Sequence, residues 1–597
     1  MSLLIMSSFL PAPLNLPFDQ NLSALRRRST PAVEQPRLSP IRCSAAGQSS
    51  ASRRSANFQP NLWSNDYIQS LAVSSPVEEK DRTERIKFLE EKIRGVIGEK
   101  KEVEEQLELI DHLQQLGVAY HFKDGIKDCL TRLHSSLEDL SLKLNDNLRA
   151  TALLFRLLRE NGFSISEDMF KKFRDEKGEF RDGGENHTEG MLSLYEASYY
   201  GTEGEMVLQE AMEFTTEHLK NLLEEGSEIM KLRKKVADAL ELPLNWRMER
   251  VHTRRFIEAC QRDASILNNN PLLLEFAKLD FNAVQSIYKK ELSALSRFWT
   301  ELGLVEKLPF ARDRLSESYL WTLGWTFEPE HWRFREAQTK ANCFGTLIDD
   351  VYDVYGTMDE LELFTHVVDR WDINAIDKLP DYMKILFLAI FNTTNEEAFK
   401  VMKEKGLDII PYLRGAWADL CKAYLVEAKW NHQGCTPPLA EYLEKAHVTI
   451  NGPLVLTNAY CLVNDLSEQD LARFSGHLAA MKPPSMLARL YNDLATSTAE
   501  TKRGDVAKAI ACCMHETGVS EAVARRRIKE MIKVNWRRMN GDRGGASSLE
   551  EHSKRVAIGM ARSTHFFYGQ GDGFGQRDGD IKSQLVALLV NPIVVEK

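Results

Sequence analysis

From about residue 78 to the end, apolar residues recur three and four apart with charges between them. The segment ERIKFLEEKIRGVIGEKKEVEEQLELIDHLQQLGV (84–118) shows this pattern, and so does MVLQEAMEFTTEHLKNLLEEG (206–226). That period belongs to helices burying one face. Gly162, Gly183-Gly184, Pro243, Pro380, Pro437-Pro438 and Pro483-Pro484 punctuate the chain at helical intervals. No alternating strand pattern, βαβ rhythm or fixed repeat is evident. The predicted fold class is all-α, helices packed on helices, in two helical domains. A boundary is expected at 268–271, where Asn268 to Pro271 break the pattern, giving segments 53–267 and 268–597.

One stretch breaks the usual logic of helix ends. FREAQTKANCFGTLIDDVYDVYG (334–356) reads as a single helix, with Phe344, Leu347, Ile348 and Val351 on one face and Gly356 placed as a C-terminal cap. Near that end stand Asp349, Asp350 and Asp353. Asp349 and Asp353 are a turn apart and share a face. A helix C-terminus repels acids, so a cation is expected beside them. Oxygen ligands of this kind suit a hard divalent cation, Mg2+ or Mn2+. Alone, DDxxD is more often the mark of a solvated acidic helix end.

Composition narrows the classes. The chain has 597 residues, 43% hydrophobic and 27% charged, with net charge -10. These values are ordinary for a globular protein and argue against a general nucleic-acid binder. No apolar run reaches membrane-spanning length. The nine cysteines lack CxxC or zinc spacing and read as reduced, mostly buried thiols. Residues 1–52 differ: five arginines, two acids, and much Ser, Ala, Pro and Leu. That is the composition of an organelle transit peptide, a disordered tail being the alternative. Next comes RRSANFQPNLW (53–63), where eight residues separate Arg53 and Arg54 from Trp63. It reads as an extended arm with a cationic end and an aromatic anchor. Paired arginines suit phosphate or carboxylate.

The second half holds the remaining chemistry. In RLYNDLATSTAE (489–500), Asn492, Thr496 and Glu500 are spaced four and four, so their oxygens look one way and can bind a second hard cation. Arg489 lies one turn earlier. Arg312 and Arg314 bracket Asp313, either to meet an anionic group or to form surface pairs with Glu317. Two metal-binding helices, clustered arginines and an apolar scaffold suit a diphosphate whose hydrocarbon end lies in an apolar cavity. Stabilising a leaving diphosphate promotes C–O ionisation, and aromatic walls would shield the carbocation.

These motifs, in this order, resemble the angiosperm terpene synthases of the plastidial monoterpene type, from Arg53 to the C-terminus. The resemblance implies a catalytically silent N-terminal helical domain, a class I catalytic domain, geranyl diphosphate as substrate and three Mg2+ or Mn2+ ions. By likeness, Asp349, Asp350 and Asp353 form the first metal motif, and Asn492, Thr496 and Glu500 the second. Arg312, Arg314 and Arg489 match diphosphate contacts, and Trp321 an aromatic that stabilises the cation. FFYGQGDGFG (566–575) resembles a lid loop, with Tyr568 and Asp572 at the pocket mouth and Gly571 and Gly573 letting it bend. Arg53 and Arg54 match the tandem-arginine motif that accompanies isomerisation to linalyl diphosphate, which favours a cyclic product. DxDD and a second DDxxD are missing, against class II chemistry and chain elongation. Leu320 and Cys461 stand where isoprene synthases carry pocket phenylalanines, against a C5 product. His447 departs from a frequent tryptophan before Asn451–Pro453, and Asn342 offers a polar group two turns before Asp349, either as cavity wall or as structural amide.

The expected protein is therefore a monoterpene cyclase of the plastid stroma, monomer or homodimer, taking a small-molecule prenyl diphosphate, without nucleic-acid partner or membrane span. An acyclic product, a farnesyl diphosphate substrate, a prenyl diphosphate-binding protein without catalysis, or a purely structural scaffold are the alternatives.

Overall fold

The computed structural model describes residues 53, 58 and 61–595, with short gaps at 73–75, 99–101, 145, 177, 179, 182–186, 226–229, 269, 464, 504–506, 542, 544–547 and 575–579. The expected transit segment 1–52, Arg54 and the side chain of Glu500 lie outside the described residues. Within them helices follow one another from Asn65–Leu71 to Asp580–Leu589, and the only strand-like pairing is an isolated bridge between Arg174 and Phe180. None of the described helices is long and apolar enough to cross a membrane. Of the eight described cysteines all are unpaired thiols, and seven are buried.

The N-terminal helices form by amphipathic packing. Leu148–Glu160 is capped by Asn147, whose side chain accepts the Ala150 N–H at 2.9 Å. It buries Leu154, Phe155, Leu157 and Leu158 and lies against His187–Ser198. Trp63 is 7% exposed and meets Tyr67 edge-on, so the arm has its aromatic anchor. Trp246 stacks on Trp536 at 5.3 Å, fastening this half to the helix Glu521–Gly541.

At the expected boundary Asn268 adopts a left-handed conformation, and Asn270 with Pro271 opens the 32-residue helix Pro271–Leu302. This helix packs both on Asn65–Leu71 and on Leu315–Trp325 and Trp332–Asp350. Leu315–Trp325 is buried almost all round, as a central helix must be. Around it the site is framed by successive neighbours: Trp332–Asp350 with its continuation Val351–Tyr355, Ile410–His432, Leu439–Thr449, Lys482–Arg503 and Ser548–Tyr568, the last returning to Leu315–Trp325. The contact that closes this ring is backbone on backbone. A Cβ at Gly559 would lie 2.6 Å from the Trp325 Cα and carbonyl oxygen.

The aspartate stretch differs from the single helix expected over 334–356. The α-helix runs from Trp332 to Asp350, then widens into a π-turn over Val351–Tyr355. Gly356 ends it with its N–H on the Val351 carbonyl at 2.8 Å. Its backbone is extended, not left-handed. Space selects this glycine: a Cβ would meet Leu361 Cδ2 at 2.6 Å and the Val351 oxygen at 2.9 Å. The break at Asn451–Pro453 is also present, with Asn451 left-handed between Leu439–Thr449 and Gly452–Cys461.

Gly559→Ala is expected to destabilise by about 1–3 kcal/mol, the usual cost of overpacking, seen as a drop of a few degrees in thermal circular dichroism. Gly415→Ala, in a helix interior with no atom within 4 Å of the new Cβ, should be neutral or stabilising by up to about 1 kcal/mol. Equal melting curves for both variants would remove the close-contact argument.

Candidate active site

The cation expected beside the aspartates is Arg312. Its backbone N–H donates to Asp350 Oδ2 at 2.7 Å and its Nε to Asp350 Oδ1 at 2.9 Å, while Nη2 reaches Asp349 Oδ2. Its guanidinium also lies over the Phe58 ring, 4.9 Å from the centroid. Asp350 is 1% exposed with both oxygens engaged. Burial, together with the neighbouring Asp349 charge, pushes its carboxyl up to about 6 against the pull of Arg312. Asp349 moves the other way. Against its burial, Arg312, Lys508 and the Tyr424 hydroxyl hold it below the ordinary value. Asp353 is half-buried on the π-turn, where its charge reaches Tyr424.

The second row lies on Lys482–Arg503. Arg489 is 4% exposed. Its Nε donates to the Ala446 carbonyl at 2.9 Å and Nη2 to the Thr449 hydroxyl at 3.0 Å. Its Nη1 stands 3.1 Å from Asn492 Oδ1 and 3.2 Å from Asp493 Oδ1. Thr496, one turn on, is buried and bonds back to the Asn492 carbonyl at 3.0 Å. Asp493 points away from the row, receiving the Tyr442 hydroxyl at 2.9 Å and the Ala509 N–H at 3.0 Å.

The two rows meet through Tyr424, whose hydroxyl is 2.8 Å from Asp349 Oδ1 and 2.7 Å from the Thr449 carbonyl. Tyr568 closes the other side. Burial first, then the Asp572 charge, keeps its hydroxyl neutral, while Arg312, Asn492 and Arg489 act on it in the opposite sense. Trp321 stacks on Phe567 at 4.2 Å and lies 6.0 Å from the Tyr568 ring. Arg314 Nε donates to the Phe574 carbonyl at 3.2 Å and its Nη1 to the Asp313 carbonyl at 2.9 Å. Its pairing with Glu317, 3.9 Å away, is buried rather than on the surface. Arg314 thus ties down the loop after Ser548–Tyr568. In that loop Gly571 takes φ 124°, a conformation that favours glycine, whereas Gly573 is required by space, a Cβ there meeting the Phe567 oxygen at 2.6 Å.

The sequence model described as "Terpene synthase family, metal binding domain" matches residues 300–538, and "Terpene synthase, N-terminal domain" matches 62–240. Monoterpene synthase 8, chloroplastic, of Hedychium coronarium is 67% identical over 576 residues, covering 95% of this chain and 97% of that protein.

The chain belongs to the terpene synthase family.

Among solved structures, limonene synthase with 2-fluorolinalyl diphosphate superposes with a TM-score of 0.86 at 38% identity, covering 91% of this chain and all of that one. Isoprene synthase of Populus x canescens, with three Mg2+ ions and dimethylallyl-S-thiolodiphosphate, gives 0.80 at 40% identity, covering 89% and 99%.

The residues present fit a hard cation. Asp349, Asp353, Asn492 and Thr496 offer only oxygen, on helices joined by hydrogen bonds. Among the described residues no three His, Cys, Asp or Glu side chains form a ready-made cage. Mg2+ commonly completes its shell with waters and substrate phosphates, so the fit rests on the oxygen donors. Sequence reasoning missed Tyr424, Thr449, Glu427 and Lys508. Lys508 is 6% exposed, and its charge acts on Asp349. None sits in a motif, and only the fold brings them in. His447 is half-buried and its Nδ1 bonds back to the Leu443 carbonyl at 3.0 Å, beside Glu444 and Lys482. Asn342 takes the Gln338 amide on its oxygen at 2.9 Å, and Gln338 in turn takes Asn458 at 2.8 Å.

Arg53, expected at the substrate, has another partner. It forms a bidentate pair with Glu360 at 2.8 and 2.9 Å and lies over the Tyr355 ring at 4.7 Å. Glu360 also takes the Tyr382 hydroxyl and the Thr357 N–H, each at 3.0 Å. Against partial burial, these bonds lower its carboxyl to about 2. A depressed carboxylate contributes above its unfolded value and is lost as pH falls through the folded one. The clasp should therefore persist at pH 4 and fail only towards about 2. In Glu360→Gln, hydrogen exchange over 61–71 at pH 7 should quicken with little change in melting temperature. Unchanged exchange there would exclude the clasp.

Proposed function

We propose that this chain is a plastidial monoterpene synthase that ionises geranyl diphosphate and converts it, through linalyl diphosphate, to a cyclic product. The observation that carries this is the meeting of two oxygen-donor rows with three buried or half-buried cations, Arg312, Arg489 and Lys508. Family membership, the chloroplastic name of a relative at 67% identity and the diphosphate analogues in the superposed structures support the reading. Residues 1–52 act as the stromal targeting segment, 53–267 as the N-terminal domain and 268–597 as the catalytic one.

In this reading Asp349 and Asp353 hold cations on one side, and Asn492 and Thr496, joined by Glu500, on the other. Mg2+ or Mn2+ there supplies charge neutralisation for the diphosphate. Arg312, Arg489 and Lys508 receive the negative charge that grows on the leaving group. Asp350, expected among the ligands, has both oxygens on Arg312, and in this reading it aims that guanidinium. Trp321 and Tyr568 offer ring faces to the carbocation. The buried walls keep water from quenching it early. Arg314 anchors the loop that carries Asp572, and Arg53 fixes the arm beside the π-turn.

Protein starting at Arg53, given geranyl diphosphate and Mg2+, should yield a cyclic monoterpene by gas chromatography, and little product from farnesyl diphosphate. An acyclic product would correct the cyclisation alone. Asp349→Ala should cut turnover by orders of magnitude with unchanged helical circular dichroism. Asp350→Asn should lower turnover about 10–100-fold, as lost supporting contacts do, with its Mg2+ midpoint within about twofold of wild type. Full turnover by Asp349→Ala would falsify the scheme.

A further inference from the structure

Tyr424 has one hydroxyl proton and two acceptors in reach, Asp349 Oδ1 at 2.8 Å and the Thr449 carbonyl at 2.7 Å. It can satisfy only one at a time. Beyond it, the Thr449 hydroxyl donates to Glu427 Oε1 at 2.7 Å and accepts Arg489 Nη2 at 3.0 Å. The other end of that guanidinium is 3.1 Å from Asn492 Oδ1. Tyr424, linked by its single proton to either Asp349 or the Thr449 backbone, and Thr449, whose side chain meets Arg489, thus lie in series between the first row and the second. Its members are out of water: Tyr424 is 3%, Thr449 2%, Glu427 1% and Arg489 4% exposed. Solvent cannot stand in for a broken link there, so a change at one end must be taken up along the path.

A cation on Asp349 draws density from the carboxylate and makes it a poorer acceptor. The Tyr424 proton then turns to the Thr449 carbonyl, at the end of Leu439–Thr449. Thr449 also holds Arg489, so the grip of Arg489 on Asn492 is altered. We propose that Tyr424 and Thr449 are positioning residues that couple the two rows, so that cations fill them cooperatively. This rests on the assignment of Asp349 and Asn492 to cation binding made above.

The test is calorimetric titration of Mg2+ into the full chain in the presence of inorganic diphosphate, a readout independent of turnover. Wild type should show a sigmoidal curve. Tyr424→Phe and Thr449→Val should each move the midpoint up about tenfold, the size of one lost hydrogen bond to a charged group, and flatten the curve. The double variant should be no worse than either single one, as for members of one path. Thr449→Ser should restore wild-type behaviour. Tyr288→Phe removes an equally buried hydroxyl, 2.6 Å from the Phe327 carbonyl, and should leave the curve unchanged. A sigmoidal wild type with the same midpoint and steepness in Tyr424→Phe would overturn the coupling alone. No Mg2+-dependent diphosphate binding by wild type would overturn the cation assignment as well. If Tyr424→Phe does not fold, the contrast between Thr449→Val and Thr449→Ser decides.

Discussion

The arrangement depends on placing negative charge where a helix resists it. Asp349 and Asp350 end the Trp332–Asp350 helix, at the pole whose partial charge is also negative. Arg312 makes this tenable by meeting both carboxylates, while the Tyr424 hydroxyl and the Lys508 charge also act on Asp349. The backbone adds its share. After Asp350 the helix widens, and the chain leaves it through Gly356, the residue that fits between Leu361 and the Val351 carbonyl.

The same rule governs the second row with the signs exchanged. Arg489 is buried, and Glu427 and Asp493 both act on its charge. A lone buried guanidinium would cost several kcal/mol, and pairing with hydrogen bonds offsets that. The free protein thus keeps its site charges in mutual pairs. In the proposed reading, diphosphate and divalent cations together bring both signs, so each replaces a partner already present: cations at the carboxylates of Asp349 and Asp353, phosphate oxygens at the guanidinium groups. Binding is then an exchange of ion pairs more than a fresh burial of charge. Either ligand alone leaves half the exchange unmade.

The motifs were legible because their spacing is a property of a helix. Asn492 and Thr496 fall on one buried face, as four-residue steps require. Asp349 likewise needs a cation whatever the fold. Three features escaped the sequence for physical reasons. Asp350 is adjacent to Asp349 and identical in chemistry, and only the approach of Arg312 from a separate segment assigns its two oxygens. Gly356 reads as a C-terminal cap, but it is its neighbours rather than its φ that exclude a side chain. Tyr424 and Thr449 are common residues on helices outside any motif, joined to Asp349 by tertiary packing alone. Arg53 shows the limit of charge complementarity: a guanidinium recognises a carboxylate as readily as a phosphate, and the sequence offers no way to choose Glu360 over substrate.

That choice bears on the proposed removal of residues 1–52. Phe58 lies against the Arg312 guanidinium, and Arg53 grips Glu360 and the Tyr355 carbonyl. Tyr355 closes the π-turn, and Phe310 stacks on it at 3.6 Å. The arm therefore touches both the cation that holds the aspartates and the turn that follows them. A cut before Arg53 leaves these contacts whole. A cut after Phe58 removes both, exposing the Arg312 ion pairs to water, where screening would weaken the force that gathers carboxylates at a helix end. In the proposed reading, a targeting segment that ends at or before Arg53 leaves the contacts that stabilise the site in place.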